Sequence, residues 1–464
     1  MEERVTAFHA DKCDRCGICL HLCPVMELPV KKAQEEIAAL INGEDSHYAL
    51  SRCTSCMSCN LYCPTGANPY SLIQLRWNDR YTKQGAPPLY KFVCPTMEPN
   101  IWQLLNVLLS EKERTWISGW MDTVPDKDDE VLLVGNYLHL FPFIIGDSAL
   151  LDHFRPIDRL DQWEGGAYLY QGGYLDLVQQ IALRCKQDFD TWGVKTVVPM
   201  LDAVHYIFTQ VHPEEMGVHH TPEFINFHDW LLDRIDSGEI PLPKRLGLTL
   251  TVHDNCYSKP FGDDLWDKHR EILTRCGCSI VEMKHSRKDA LCCGFGKGAS
   301  WTRNFTLPYE IIAEGAKKFK EAKDTGADAL VSYCGGCIYL LWAARELLGS
   351  KIDIYHSLEI VRMAMGEHLD YPRDHLRRAW DVIAIITYQW LVSIFQKNFF
   401  IEQITFDRNR STFKPKKYRL LLFIRRLFDI PLVRKSYARM FRFIMPLLSR
   451  KNPASHAERD RALY

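Results

Sequence analysis

The sequence lacks an excess of charge of either sign, an apolar leader and enough cysteine for a disulfide scaffold. Its 57 Lys and Arg stand against 58 Asp and Glu, a net charge of −1 over 464 residues, so the total exerts no pull toward nucleic acid. The N-terminal MEERVTAFHADKC is polar; it reads as no secretory signal and predicts a reducing compartment. Seventeen cysteines fall well below the roughly 8–10 % typical of disulfide-rich secreted domains. The apolar stretch Val382–Phe395 covers 14 residues and would rise about 21 Å as a helix, short of the roughly 30 Å hydrocarbon core. What remains is an ordinary globular composition, 47% hydrophobic and 25% charged, long enough for about three or four domains with cores of their own. In a reducing compartment clustered cysteines bind metal or do redox work, so their spacing carries the reading.

Cys13, Cys16, Cys19 and Cys23 form C-x2-C-x2-C-x3-C followed by Pro24, and Cys53, Cys56, Cys59 and Cys63 repeat the run with Pro64. Zinc sites use two pairs and need neither the third close cysteine nor the proline. The run is that of a two-cluster ferredoxin, in which the fourth cysteine of each run serves the other cluster. Cys13, Cys16, Cys19 and Cys63 are expected to hold one [4Fe–4S] cubane, and Cys53, Cys56, Cys59 and Cys23 the second. The 29 residues between the runs place Val30, Ala33, Ile37, Leu40 and Ile41 at helical spacing, with Pro29 in front and Gly43 beyond, which predicts a helix. This arrangement resembles the helical ferredoxin domain of respiratory iron–sulfur subunits.

A second constellation begins at Cys256 in HDNCYSKP, continues with Cys292, Cys293 and Gly294, and closes with Cys334 and Cys337 in SYCGGCIYLL. Adjacent cysteines fit one tetrahedral ion poorly, and five thiolates suit a larger iron–sulfur assembly. The pattern resembles the cysteine-rich CCG-domain family, which includes the catalytic subunit of heterodisulfide reductase, its relatives in sulfate-reducer membrane complexes, and the small iron–sulfur subunits of glycerol-3-phosphate and lactate dehydrogenases. The resemblance implies that Cys256, Cys292, Cys293, Cys334 and Cys337 hold one non-cubane [4Fe–4S] cluster. The 40 residues between Cys293 and Cys334 are more than usual and read as a loop insertion.

The family usually carries two such repeats, and a partner lies upstream without its cysteines. Gapless alignment of residues 193–208 with 326–341 sets Leu201 and Val204 opposite Cys334 and Cys337; Gln171, Gly172 and Gly173 face Cys292, Cys293 and Gly294, and Asn136 faces Cys256. None of these substitutes is an effective iron ligand. Cys94, Cys185, Cys276 and Cys278 are left over and read as buried small hydrophobes. The glycines after Cys293 read as letting backbone N–H groups approach sulfur; GFGKG lacks the ending of a P-loop.

Short β-rich runs (VLLVGNYL, TLTVHDNC, DALVSYCGG) end at ligand positions and alternate with helical segments, which predicts small parallel α/β units with sites at strand ends. The expected fold is multidomain α+β and α/β: a helical two-cluster ferredoxin domain (1–85), a helical linker (86–127), two tandem CCG α/β repeats (128–247, degenerate, and 248–375), and a helical basic C-terminal segment (376–464).

The near-zero charge hides an asymmetry. Residues 408–451 contain 14 Lys or Arg and one acid, Asp429, a sum of +13; residues 452–464 sum to zero, so residues 1–407 carry −14. Leu420–Ile424, Leu427, Phe428, Phe441, Phe443, Ile444 and Met445 interleave with the charges. Together with Val382–Phe395 this reads as an interfacial segment on an anionic membrane face, or as helices packed on the chain itself or on a partner subunit. Nucleic acid is not expected.

The resemblance implies a cytoplasmic subunit, peripheral on the inner membrane, of a respiratory redox complex. Electrons would pass through two cubanes to the non-cubane cluster, where a disulfide or a carrier-protein trisulfide is reduced. Within the family the overall plan is most like the iron–sulfur subunit of the sulfate-reducer transmembrane complexes, which implies anaerobic respiration, integral-membrane partners of cytochrome b or quinone-reactive type, further iron–sulfur or cytochrome subunits, and a small thiol carrier protein. His253 and Lys259 are candidate proton donors to the leaving thiolate. One alternative is the iron–sulfur subunit of a flavin-linked dehydrogenase for glycerol-3-phosphate, lactate or glycolate that delivers electrons to quinone; another is an electron conduit with no substrate of its own.

Overall fold

Pro29 and Gly43 bracket a helix, Val30–Asn42, between the two ferredoxin-type runs. Proline fixes the first turn, and Gly43, at φ 76°, ends the helix in the left-handed conformation that side chains disfavour. Ala33, Ile37 and Leu40 are buried on its inner face. In this computed structural model the described residues are 7–46, 48–94, 97–127, 129–152, 155–158, 163–300, 306–400 and 413–450. Residues 1–6 of the expected ferredoxin span and residues 401–412 and 451–464 of the expected C-terminal segment lie outside them.

The two cysteine runs fold alike. In each, the third cysteine sits in a short helix, Ile18–His21 or Ser58–Tyr62, entered through a left-handed residue, Gly17 at φ 73° or Met57 at φ 62°. Gly17 has no freedom to change: a Cβ there would stand 2.6 Å from the Gln34 nitrogen. The helix Pro69–Gln84 closes the domain and buries Tyr70, Ile73 and Trp77.

Two four-stranded parallel sheets follow. The first contains β1 (Glu130–Leu133), β2 (Arg155–Ile157), β3 (Thr196–Pro199) and β4 (Glu223–Phe224), in the order β2-β1-β3-β4. The second contains β5 (Thr249–His253), β6 (Ser279–Ile280), β7 (Ala329–Ser332) and β8 (Asp353–His356), in the same relative order, β6-β5-β7-β8. Leu132 pairs with Val198 in one sheet and Val252 with Val331 in the other. All four are buried, as continuous apolar strands covered on both faces must be. The positions aligned from the sequence fall at matching places. Asn136 and Cys256 each open a 3-10 helix after the first strand of their sheet. Leu201 and Cys334 each precede the helix after the sheet's third strand in sequence. Gly173 and Gly294 both have positive φ.

The segment between ferredoxin domain and first sheet holds helices Ile101–Asn106 and Glu111–Asp122, each entered through a capping box. Glu113 of the second reaches the long helix Tyr371–Ser393, where Arg377 embraces its carboxylate with two 3.0 Å hydrogen bonds and fully buried Arg378 adds another.

That long helix decides between the two expectations for its apolar stretch. Val382, Ile383, Ala384 and Ile385 do not lie at the surface; they are buried in a helix packed on Gly335–Leu348 of the second repeat. The stretch is apolar because it meets another helix of the chain. Only its end turns outward, with Phe395 96% exposed. Beyond it, helices Arg419–Leu427 and Pro431–Arg450 and the turn joining them bury Leu421, Ile424, Phe428, Ala438 and Phe441 and leave Phe423 (59%), Leu432 (73%) and Phe443 (74%) in the open. No described helix is long and apolar enough to cross a membrane.

Candidate functional site

β5, β7 and their connections bring all five cysteines of the second constellation to one cavity enclosing ≈ 700 Å³ of empty space, open solvent included. Cys256 starts the turn after β5, Cys334 and Cys337 enter the helix after β7, and Cys292 and Cys293 come from the loop that follows β6. Gly294 permits that loop its course. Its φ is 106°, and a Cβ there would stand 2.1 Å from the Ile311 carbonyl oxygen. The backbone N–H of Gly294 points at Cys292 Sγ, 3.3 Å away.

The far wall belongs to the first repeat. Tyr137, Glu164, Tyr168, Gln171, Leu201 and Asp202 line the same cavity. Leu201, aligned with Cys334, packs against the turn after β1: a Cβ on Gly135 would stand 2.7 Å from its Cδ1. Gln171, aligned with Cys292, sends its side-chain N–H to Cys256 Sγ at 3.1 Å.

A third wall is the ferredoxin domain, which contributes Cys56. Here the domains interlock. Ser55 Oγ donates to the Gln171 carbonyl (3.1 Å), Lys297 Nζ to the Ser51 carbonyl (2.8 Å), and buried Lys259 Nζ to Ser58 Oγ and the Ala290 carbonyl (2.9 Å to the latter). Gly296 lies so close to Thr54 that a Cβ would stand 2.0 Å from its carbonyl oxygen.

The eight ferredoxin-type cysteines group by mutual charge influence. Cys19 feels Cys63, Cys16 and Cys13, while Cys59 feels Cys53, Cys56 and Cys23, with Cys19 also in range. Burial pushes the Cys19 and Cys23 thiols up to about 12, so loading with metal must displace their protons. Cys56 and Cys63 go the other way: burial opposes ionisation, but the Lys259 ammonium and hydrogen bonds from the Ser58 turn hold Cys56, and hydrogen bonds from the Thr65–Ala67 turn hold Cys63, below the ordinary thiol range. Ser55 N–H and Ala67 N–H approach Cys53 Sγ and Cys63 Sγ at 3.3 Å each. Amides aimed at sulfur, thiols in sets of four and five, and glycine where a side chain would intrude all suit iron–sulfur clusters.

His253 and Lys259 are placed differently from a substrate-facing pair of acids. His253, Cys293 and Cys337 bring their ligand atoms within 4.8 Å of one another, all buried. Burial holds the imidazole below the ordinary histidine range. His253 stands among the thiols of the cavity wall. Lys259 lines the cavity, but its ammonium is engaged in the domain contact. The cavity also holds two buried acids of the first repeat, Glu164 and Asp202, which no motif in the sequence marks. One signal for them exists: Asp202 directly follows the position aligned with Cys334. Cys94, Cys185, Cys276 and Cys278 are buried, away from the cavity lining.

Comparison with known proteins agrees with this geometry. Residues 6–72 match the 4Fe-4S dicluster domain and residues 250–341 the cysteine-rich CCG domain. The chain is 25% identical over 407 residues to a subunit of the dihydromethanophenazine:CoB–CoM heterodisulfide reductase of Methanosarcina acetivorans, covering 78% of this chain and 95% of that protein. It is 26% identical to the probable iron–sulfur-binding oxidoreductase FadF of Bacillus subtilis, over 62% of this chain and 42% of that one. With EtfAB:quinone oxidoreductase of Syntrophomonas wolfei it shares 26% identity over 42% of this chain and 23% of the relative. The chain thus combines a 4Fe-4S dicluster domain with a cysteine-rich CCG domain and is homologous over most of its length to that heterodisulfide reductase subunit, as an iron–sulfur electron-transfer protein.

Proposed function

We propose that this chain carries electrons through Cys13/Cys16/Cys19/Cys63 and Cys53/Cys56/Cys59/Cys23 to the cavity of Cys256, Cys292, Cys293, Cys334 and Cys337, where a disulfide is reduced to thiols, or a carrier-protein trisulfide to thiols and sulfide. The observation that carries this reading is the presence of Cys56 in the wall of the five-cysteine cavity. With clusters bound, two cubanes and one non-cubane centre, the cysteines supply one-electron carriers and an iron site with affinity for sulfur. The chain's own residues fix the spacing: Lys259, Ser55 and Lys297 clamp the ferredoxin domain to both repeats. The likeness to the Methanosarcina heterodisulfide reductase subunit supports the substrate class.

The C-terminal helices supply the docking end. Lys414, Lys416, Lys417, Arg419, Arg426 and Lys435 accompany the exposed Phe423, Leu432 and Phe443. Basic charge beside exposed aromatic and aliphatic side chains suits the anionic cytoplasmic face of the inner membrane, next to integral-membrane subunits of cytochrome b or quinone-reactive type. A second reading, favoured by the likeness to EtfAB:quinone oxidoreductase, is an iron–sulfur subunit that hands electrons from a flavoprotein to quinone and has no disulfide chemistry.

The deciding experiment is anaerobic mixing of the purified, reduced protein with a disulfide or a carrier-protein trisulfide while cluster absorbance is followed. Reoxidation is expected. Intact clusters that respond normally to quinol but are not reoxidised would support the second reading.

A further inference from the structure

The reduction of a disulfide consumes two protons as well as two electrons, and the cysteine-bearing wall is poorly equipped to provide them. The His253 ring stands within 4.8 Å of the sulfur atoms of Cys293 and Cys337, among the groups that would hold the cluster, and Lys259 is committed to Ser58 and Ala290. The opposite wall differs. Glu164 and Asp202 both line the cavity and both are buried. Asp202 stands immediately after Leu201, in the turn that carries Cys334 in the other repeat.

We propose that the first repeat, having no cluster cysteines, serves as the proton-donating half of the site, with Glu164 and Asp202 as the two carboxylic acids that protonate the departing sulfur atoms. This deepens the functional reading above and rests on it. The balance closes: one S–S bond breaks, two electrons arrive one at a time through the cysteine-held centres, two S–H bonds form, and two carboxylates remain, to be reprotonated from water.

The surroundings favour the protonated form of each acid. Burial pushes Asp202 up to about 7; Asp254 across the interface adds to this, and the Asn255 amide, which donates to Asp202 Oδ2 at 2.8 Å, opposes it. Burial pushes Glu164 up to about 8, with Asp158 raising it further, although Glu164 Oε1 accepts the Tyr137 N–H at 2.7 Å. The other ionisable groups nearby are His228, whose Nδ1 lies 3.5 Å from Asp202 Oδ1, His205 on Asp202's own helix, Tyr257 and Lys259 on the turn packed against that helix, and buried Tyr333, which feels the Asp202 charge. Against Glu164 stand Tyr257, which feels its charge, and His212, which hydrogen-bonds the Gly165 carbonyl at 2.8 Å. Burial keeps His205, His212 and His228 neutral near pH 7, with values of about 4, 4 and 3. These three rings therefore bring no positive charge that would draw the acids into the ionised form.

The test uses the full, cluster-loaded protein and the variants Asp202→Asn and Glu164→Gln, with Asp202→Glu and Glu164→Asp as conservative controls. Infrared spectroscopy at about pH 6, below both raised values, should show protonated-carboxyl bands in the wild type that each amide variant loses. Iron content and EPR signals should be unchanged, and reoxidation by ferricyanide, which needs no proton, should keep its wild-type rate. Reoxidation by dithiodiglycolate or another small disulfide should slow at least about tenfold in each amide variant, within the range for general acids, and recover in part in the conservative ones. Amide variants that react with the disulfide at the wild-type rate, or a wild type without the bands, would overturn the proposal. If the wild type itself ignores disulfides and trisulfides, the functional reading falls and takes the donor role with it, while the bands still report whether the two acids hold protons.

Discussion

Gln171 donates a 3.1 Å hydrogen bond to the sulfur of Cys256. The residue that occupies the first repeat's lost cysteine position thus reaches the first cysteine of the second. A hydrogen bond to a ligating sulfur favours the more electron-rich state of a cluster. Gln171→Leu should therefore lower the midpoint potential of the centre held at Cys256 while iron content stays constant; EPR-monitored redox titration reads this directly, and an unchanged potential would rule the contact out as a tuning element.

Cys293→Ser should remove the signal of the five-cysteine centre and spare both ferredoxin-type signals. Iron analysis should fall from about 12 to about 8 per chain, on the basis of four irons per cluster. A wild-type value near about 16, again at four irons per cluster, would mean that the first repeat binds a cluster despite its missing cysteines.

Glu113 ties the linker to the long C-terminal helix through Arg377 and Arg378. Burial works against its charge, but the two guanidinium groups hold it down to about 2. With a folded value below the unfolded one, its stabilising contribution is present above the unfolded pKa, about 4.3, and is lost as pH falls through the folded value. Glu113→Gln leaves buried Arg378 with Asp381, 3.5 Å from its Nε, as its remaining countercharge and should cost roughly 1.5–3 kcal/mol near neutral pH, the worth of a lost charged hydrogen bond. Anaerobic thermal or denaturant unfolding of the loaded protein measures it.

Stability should peak near about pH 6–7, where two opposed groups of titrations meet. His205, His212 and His228 are buried as neutral rings, with folded values below the roughly 6.5 of an unfolded histidine. The unfolded chain therefore takes up more protons below that pH, and stability falls with acid. Asp202 and Glu164 act in the opposite sense. Raised to about 7 and about 8, they contribute below their unfolded values and lose that contribution as pH rises through the folded ones. Asp202→Asn should remove a loss of stability that runs from about pH 4, the unfolded value, to about 7, so that stability climbs more steeply with pH across that window, as denaturant unfolding across the pH range will show.

For the docking end, Phe423→Glu combined with Phe443→Glu should weaken sedimentation with vesicles of mixed phosphatidylglycerol and phosphatidylcholine at least about tenfold, because inserting one such side chain contributes roughly 1.5–3 kcal/mol. Added salt should weaken wild-type binding further. Binding unchanged by both treatments would assign the surface to a protein partner.

Much of the site is legible in the sequence because iron–sulfur ligation is written in spacing. The runs at Cys13 and Cys53, and the Cys292–Cys293–Gly294 triplet, identify themselves, and the upstream repeat emerges from strand–turn–helix alignment although its cysteines are gone. The same local signals place Pro29 and Gly43 at the ends of a helix. Tertiary relations are harder to read. Val382–Ile385 has the composition of an interfacial stretch, and only the partner helix Gly335–Leu348 shows why it is apolar. Glu164 and Asp202 are ordinary acids in the sequence. Their character comes from burial across an interface between segments far apart in the chain. Lys259 reads locally as a free cation beside a cysteine, because its contact with Ser58 spans 201 residues, beyond the reach of any local pattern.

The near-contact of Gly296 with Thr54 has a kinetic consequence. With room for a hydrogen but not for a methyl group between loop and ferredoxin domain, the Cys56 side of the electron route is set against the five-cysteine side at a fixed separation. Electron passage across that boundary then requires no swing of one body toward another. Its rate should be indifferent to solvent viscosity, unlike that of redox proteins whose carriers shuttle on mobile arms, and enlarging Gly296 to alanine should introduce a viscosity dependence where none existed.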